Sequence, residues 1–522
     1  MSTAREPAGG VEMDADERRL REMGYEPTLE RSMGAFSNFA ISFSIVSILT
    51  GGLASYGIGL SNGGPITMAW GWPLVSVMVL FVGLAMAELA SAYPTAGGLY
   101  WWASKLGSPA HGWFTGWFNL VGQIAVTAAI DYGAAIFVTA VLETIGAGLG
   151  TDRTTIFAVF TVILILHAGM NAIGPQIMNL LNMVSAWWHV AGVTVFVLVL
   201  ILFSDSHQSI DFAFTSTVDN SGVGFGGVTF SFLLGLLHAQ YTFTGYDASA
   251  HMSEETKNAS RTVAKGIINT ILVSAVFGYV LIMAVTFAIP GSAQETLDAT
   301  AAAGLPSPVI YILDTQLSSA LSAMLLIIAA VAQLFCGYAS VTAASRMLYA
   351  FSRDKAVPGS RFWSQLSSRR VPLAAIGVVV FFAWLLLIPS LIVAEDQAIV
   401  AYSAATSIAV IGLYISYAIP IWLRLKQGDA FETGDWHLGG RYKIVGGIAI
   451  AWVVFICLLF IIPASDAGLP WQDDFAWSSV NFAPITVAVV LGAVGIWWLV
   501  SARKWFTGPL HTVTEIEKEL DA

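Results

Sequence analysis

The sequence predicts an all-α polytopic membrane protein of twelve transmembrane helices, arranged as a five-plus-five inverted repeat with interrupted helices 1 and 6. Three observations lead there. The 522 residues are 56% hydrophobic and 11% charged, whereas soluble domains carry about a quarter charged residues. The apolar residues fall into runs such as Ile376–Val393 and Ile444–Pro463, long enough to cross the hydrocarbon core as helices. The alternating ten-residue segments of a membrane β-barrel are missing from the sequence. Finally, two spans carry glycine and hydroxyl residues near their middles, five spans apart.

Taken in order, residues 1–30 form a polar N-terminal tail, in which Val11–Met23 suits a short surface helix without a site. The tail lacks the apolar core of a signal peptide, so the first span is expected to act as the targeting element. The spans are 35–59, 70–93, 112–142, 154–173, 177–203, 228–252, 263–289, 317–350, 372–393, 398–423, 444–463 and 482–502. This divides the chain into a first repeat (31–210), a second repeat (211–424), two further helices (425–502) and a C-terminal tail (503–522). Lysine and arginine test the count, because they gather on the cytoplasmic side. Of 23 such residues, all but Arg153 fall on one side of this topology. Both termini are therefore expected in the cytoplasm of a multi-pass plasma (inner) membrane protein. The outer loops carry acids instead: Asp205, Asp211, Glu295, Asp298, Glu395, Asp396, Asp473 and Asp474. Cys336 and Cys457 lie inside apolar runs and imply neither a disulfide nor thiol chemistry.

The two interruptions are Ser47-Ile48-Leu49-Thr50-Gly51-Gly52 in the first span and Phe243-Thr244-Gly245-Tyr246-Asp247 in the sixth. Lipid cannot satisfy a freed backbone group, so such breaks are tolerated around a cavity. Paired breaks at matching places in two halves point to a transporter binding site. New helix N-termini present N–H groups that suit a carboxylate. Unwound carbonyls and hydroxyls suit an ammonium or a cation, so a zwitterion satisfies both. The competing reading is that small residues only let helices approach closely.

Three motifs carry a family resemblance. Ala87-Glu88-Leu89-Ala90-Ser91-Ala92-Tyr93-Pro94-Thr95-Ala96-Gly97-Gly98-Leu99-Tyr100 follows the second span. Phe243–Asp247 leads into Ser253-Glu254-Glu255-Thr256, and Ser345-Arg346-Met347-Leu348-Tyr349-Ala350-Phe351-Ser352-Arg353-Asp354 ends the eighth span. Together they resemble the signatures of the amino acid–polyamine–organocation superfamily. Tyr246–Glu254 is most similar to its amino acid/choline transporter branch, which includes 4-aminobutyrate and amino acid permeases. The resemblance covers roughly residues 30–505. It implies a leucine-transporter-type fold of two inverted five-helix repeats plus two extra helices. It also implies that Ser47, Thr50, Gly51 and Gly52 hold a substrate carboxylate while Phe243, Thr244 and Gly245 line the helix 6 side, next to which Tyr246 and Asp247 are further candidate substrate-binding residues. Many family members carry Gly-Ser-Gly in the first break, where this chain has Leu49-Thr50-Gly51-Gly52.

Ionisable residues at membrane depth are functional candidates. Asp247 is a coupling candidate or an amine ligand, with helix capping as the plain alternative. Asp131 and His189 are further coupling candidates, weighed against ordinary hydrogen-bonded roles. His167 and His238 read as packing. Glu88, Glu254 and Glu255, at the cation-rich helix ends, are expected to pair with Lys105, Lys257 or Arg346 as an inner gate. Gln123, Tyr338, Tyr402 and Thr406 are candidate lining residues.

Gly222-Val223-Gly224-Phe225-Gly226-Gly227 fits a dinucleotide fingerprint but follows no strand, and Asn258-Ala259-Ser260 fits a sequon on the cytoplasmic side. The sequence holds no metal, nucleotide, cofactor or catalytic constellation and no basic stripe for nucleic acid. The expected partners are a small amino compound, protons and the bilayer. The expected function is secondary active transport, by proton-coupled uptake (symport) or exchange with alternating access, of an amino acid or an amine such as 4-aminobutyrate. Choline or a polyamine is the rival substrate; choline would need an aromatic cage, for which Phe243, Tyr246, Trp187 and Trp188 are available. A ligand sensor would need a soluble domain larger than either tail.

Overall fold

The computed structural model describes residues 14–220, 226–392, 398–462, 466–473, 475–477 and 480–510. Arg5, residues 222–225 of the glycine-rich motif, Glu395, Asp396, Asp474 and Lys518 lie outside the described residues.

The N-terminal part holds α1 (Ala15–Glu22), α2 (Ala35–Val46), α3 (Gly51–Ala54) and α4 (Tyr56–Ser61). A π-helical turn, Thr67–Gly71, leads into α5 (Trp72–Ala92), followed by α6 (Gly98–Leu106), α7 (Pro109–Thr144), α8 (Arg153–Asn171) and α9 (Pro175–Phe203). Proline opens α7 and α9, where its missing N–H costs nothing. The Asp152 side chain caps α8. Next come α10 (Ile210–Thr215), α11 (Gly227–Gly235), α12 (Leu237–Thr242), α13 (Ala248–His251) and α14 (Ala259–Phe287). Then α15 (Ala293–Ala302), α16 (Pro308–Gln316), α17 (Ser319–Arg353), α18 (Ser360–Trp363), α19 (Leu373–Leu386) and α20 (Pro389–Ile392) follow. The last are α21 (Ala398–Gln427), α22 (Tyr442–Leu459) and α23 (Phe482–Val500).

Among the described residues, eleven helical stretches are long and apolar enough to cross a membrane. They match eleven of the twelve spans expected from sequence. The remaining one, 228–252, is divided into α11, α12 and α13, each too short to cross alone. No β-strand occurs among the described residues.

Burial follows chemistry. α8, α9 and α23 turn large apolar side chains such as Leu166, Leu202 and Ile496 outward, as helices facing lipid do. α7 lies against both α17 and α21, and α2 lies against α9, α14 and α17. Buried polar residues occur on most of the helices, and Ser47, Thr50, Thr242, Thr244, Asp247 and Ser249 place several of them at the ends of α2, α12 and α13.

The N-terminal stretch departs from a free tail. α1 is the expected short helix, but Leu20, Tyr25, Leu29 and Met33 are buried. Asp16 accepts hydrogen bonds from the Asn258 and Ala259 amides at the start of α14 (2.6 and 3.0 Å). Arg31 donates to the Thr256 carbonyl at 2.6 Å.

Candidate functional site

α2 stops at Val46 because the chain leaves helical space at Ser47, whose φ is 28°. That value is costly for a residue with a Cβ, and the surroundings hold it. Ser47 Oγ lies 2.5 Å from Thr50 Oγ1 and 2.6 Å from His189 Nε2. His189 Nδ1 lies 2.7 Å from the Ser185 carbonyl oxygen, so Nδ1–H donates and Nε2 accepts from Ser47. The Thr50 and Gly51 amides donate to the Ser47 carbonyl (2.8 and 2.9 Å), which engages both within the break before α3 begins. Cys336 Sγ on α17 donates to the Ile45 carbonyl freed at the end of α2 (3.1 Å).

The second break has the same logic. α12 ends at Thr242, Gly245 takes φ 94°, and α13 resumes at Ala248. The freed Phe243 carbonyl accepts from the Tyr414 hydroxyl (2.9 Å), and the Tyr246 carbonyl from Ser42 Oγ (3.0 Å). The breaks also touch: a Cβ on Gly245 would meet Ile45 Cγ2 at 2.1 Å, and one on Gly51 would meet Thr242 at 2.8 Å. The glycines thus serve close packing and unwinding together. Ser47, Thr50, Phe243, Thr244, Tyr246 and Asp247 are all buried.

Asp247 precedes α13 but its carboxylate makes no capping bond. Instead it reaches across the bundle. Oδ1 accepts from the Tyr417 hydroxyl on α21 (2.9 Å). Oδ2 faces Gln123 Nε2 and Asn119 Nδ2 on α7 (3.0 and 3.3 Å) and His251 Nε2 (3.3 Å). Gln123 is therefore a neighbour of Asp247, whereas Thr406 bonds its own helix at the Ser403 carbonyl. Asp131 on α7 pairs with His167 Nδ1 at 3.1 Å, so His167 is more than packing. Asp131 Oδ1, both polar atoms of Gln333 and the Tyr338 hydroxyl have no hydrogen-bond partner among the described residues. His238 contacts Ser55 Oγ (3.0 Å) and packs on Tyr56 and Trp72.

The aromatic candidates divide. Phe243 lies on Trp72 (5.0 Å between ring centroids) and Tyr246 on Tyr417 (5.3 Å). Trp187 is 65% exposed and Trp188 donates to the Ile328 carbonyl, so neither joins a cage beside the breaks.

At the cation-rich end three buried ion pairs close the bundle. Glu255 pairs with Arg346 at 2.9 Å, as expected. Glu254 pairs with Arg353 (3.0 Å) and also accepts from the Ala96 amide (3.0 Å). Glu88 pairs with Arg424 (2.9 Å), whose guanidinium lies between the rings of Phe431 and Tyr442. Lys105 and Lys257 are exposed and make none of these pairs; burying an arginine fork preserves two-pronged contact with a carboxylate better than a lysine does. Burial raises the Glu254 carboxyl, but Arg353 and the Ala96 N–H outweigh it and hold the group below the usual carboxylate range.

Several partners escaped sequence reasoning. Tyr414 and Tyr417 sit in an apolar run with no motif around them. The four-residue step from Asp247 to His251 was a visible signal, since it stacks the two on one helical face. Arg353 lies inside a recognised motif, and only three dimensions reveal that it, and not Lys257, reaches Glu254.

The sequence profile of the amino acid permease family matches residues 33–491. The amino-acid permease BAT1 of Arabidopsis thaliana is 39% identical over 514 residues, covering 96% of this chain and 97% of that protein. The BAT1 homolog of Oryza sativa subsp. japonica is 38% identical, covering 95% and 96%. The GABA-specific permease of Saccharomyces cerevisiae is 28% identical, covering 96% and 86%. A bundle of apolar helices with paired breaks at its centre, matched over nearly its whole length, belongs to the amino acid permease family, a family of transporters and not of enzymes.

Proposed function

We propose that the protein is a secondary active transporter of an amino acid or an amino-acid-like amine such as 4-aminobutyrate, working by alternating access. The observation that carries this is the pair of touching, buried breaks at Ser47–Thr50 and Phe243–Asp247. Backbone groups lose helical partners there without reaching lipid, which is tolerated beside a polar site. The twelve-span count follows when α11, α12 and α13 are taken as one interrupted crossing. Breaks in the first and sixth crossings suit two five-helix repeats followed by α22 and α23. The charge asymmetry supports a plasma-membrane orientation with both termini cytoplasmic. The three ion pairs then form a closed inner gate.

In this reading the Gly52 amide meets the carboxylate, beside Ser47 and Thr50, whose hydroxyl protons are held by His189 Nε2 and Ser47 Oγ. The amine lies toward Phe243, Thr244 and Gly245. Asp247 is the proton-coupling carboxylate, because it is buried and held by the protein's own side chains Tyr417, Gln123, Asn119 and His251. His189 fixes the first break to α9. Asp131, with one carboxylate oxygen unpartnered, suits the cationic end of a longer substrate.

Uptake by reconstituted protein tests the proposal. Labelled 4-aminobutyrate and neutral and basic amino acids should accumulate under an inward proton gradient or exchange with internal substrate, and choline should compete weakly. Saturable binding with no flux would indicate a sensor, and choline as the preferred solute would overturn the assignment to amino acids.

A further inference from the structure

His251 and Asp247 stand one helical turn apart, and their contacts fix how many protons they hold. His251 Nδ1 lies 3.2 Å from the Ala96 carbonyl oxygen, and Nε2 lies 3.3 Å from Asp247 Oδ2. A carbonyl oxygen accepts only, and so does an ionised carboxylate. A neutral imidazole has one N–H and one lone pair, so beside an ionised Asp247 it satisfies one contact and opposes the other. Both are satisfied when a doubly protonated ring faces the carboxylate. Both are also satisfied when a neutral ring donates to Ala96 and accepts from a protonated Asp247. The two arrangements hold the same number of protons and no net charge. His189 makes the contrast clear: it faces one carbonyl and one hydroxyl, and a neutral ring serves both. Both His251 and Asp247 are buried, where a lone charge is expensive.

We propose that Asp247 and His251 bind one proton as a pair, and that the Ala96 carbonyl couples release of that proton to opening of the gate. This rests on the proton-coupled reading above. Ala96 lies in the turn between α5 and α6, and its amide is bound to Glu254, which Arg353 holds. When the gate opens and this turn moves, His251 loses its second acceptor. One N–H then suffices, and the extra proton passes to water. When the gate closes, the Ala96 carbonyl again demands an N–H, so closure favours reloading.

The other groups around the pair do not take over this role. From α7 come the amides of Asn119 and Gln123, and from α21 the phenols of Tyr414 and Tyr417. α2 presents Asn38 and Ser42, whose side chains bond to Ser249 and Tyr246. Tyr246 lies in the break itself. Glu254 and Glu255 on the next turn are each matched by an arginine of α17. The basic residues of α14 nearest this turn, Arg261 and Lys265, are exposed.

The test uses the full chain in proteoliposomes, given a labelled mixture of the standard amino acids and 4-aminobutyrate from about pH 5 to 8. Uptake driven by an inward proton gradient is compared with counterflow in the absence of a gradient. In His251→Gln the ratio of driven uptake to counterflow should fall by about tenfold and lose its pH slope. Should the unsubstituted protein ignore the gradient, proton coupling itself is overturned. Should it respond while His251→Gln responds equally, the pair is overturned and proton coupling stands. Infrared difference spectra of the unsubstituted protein decide the matter without a variant. Carboxyl and imidazole bands that change together at one pH support the pair; bands that titrate separately, or not at all, overturn it.

Discussion

Gly245 shows how much a single position carries. Its φ of 94° excludes most residues, and an added Cβ would meet Ile45 Cγ2 at 2.1 Å. Gly245→Ala should therefore abolish transport by two separable routes, a backbone cost of about 1–3 kcal/mol and an overpacking cost of similar size. Pairing it with Ile45→Ala relieves the second alone, so uptake by the double variant should exceed that of Gly245→Ala yet stay below wild type. Asp247→Asn has a different cause. It places an amide where three neutral donors converge, so an N–H group must oppose at least one of them. Transport should fall at least tenfold, the equivalent of about 1.4 kcal/mol, with the residual activity independent of pH. An Asp247→Asn activity that keeps the pH profile of the unsubstituted protein would remove Asp247 from coupling. Asp247 was legible because an acid inside an apolar span stands out. Its partner Tyr417 was not, since a tyrosine in an apolar run has no pattern that distinguishes a ligand from filler.

Among the elements, the N-terminal stretch is the one that composition misjudged. Its charges suggest a solvated tail, but a buried tyrosine and a few well-placed ionic groups suffice to dock it. Tyr25 donates to Asp354 at the end of α17 (2.9 Å), beneath the Arg353 guanidinium 4.0 Å from its ring. Tyr100 hydrogen-bonds to the same Asp354 oxygen. Burial first, then the Asp354 carboxyl, raises the Tyr25 phenol well above its usual range, so it remains a donor throughout the physiological range. The segment joins α1, the start of α14 and the end of α17, elements that must separate if the inner side opens. Tyr25→Phe combined with Asp16→Asn should shift the protein toward the inward-open form, measured as faster labelling of a cysteine placed at Ala96. Unaltered labelling would show that the N-terminal segment is not part of the gate. The breaks themselves were legible, because glycine beside hydroxyl residues in an apolar run signals a lost helical hydrogen bond. The way they are satisfied, through Tyr414, Ser42 and Cys336, depends on side chains brought in from distant helices.

For the whole molecule, three ion pairs gather at the cation-rich end of the bundle. Eleven spans and the charge asymmetry follow from hydropathy and loop composition, which is why the architecture was readable. Which cation meets which acid was not, because Lys105, Lys257 and the arginines share one end of the bundle and chain position does not rank them. The resulting pairs join α5 to α21 and the turn after α13 to α17, so each spans parts that the proposed alternating access would move. Glu254 supplies the sign of the pH effect. Its folded-state carboxyl lies below the usual range, so its contribution is complete above the ordinary carboxylate pKa and is lost as pH falls through the lowered value. The Glu254–Arg353 closure should therefore be flat from about pH 5 to 8. Removing one partner of a buried pair costs about 3–5 kcal/mol, so Arg353→Ala should shift the balance of open and closed forms by about a hundredfold or more. The exchanged variant, Glu254→Arg with Arg353→Glu, restores the attraction but places a guanidinium against the Ala96 N–H, which needs an acceptor. It should recover part of the closed population in an accessibility assay and not all of it. Full recovery would mean that Ala96 is not held through Glu254, and the mechanical link from gate to proton site would fail there.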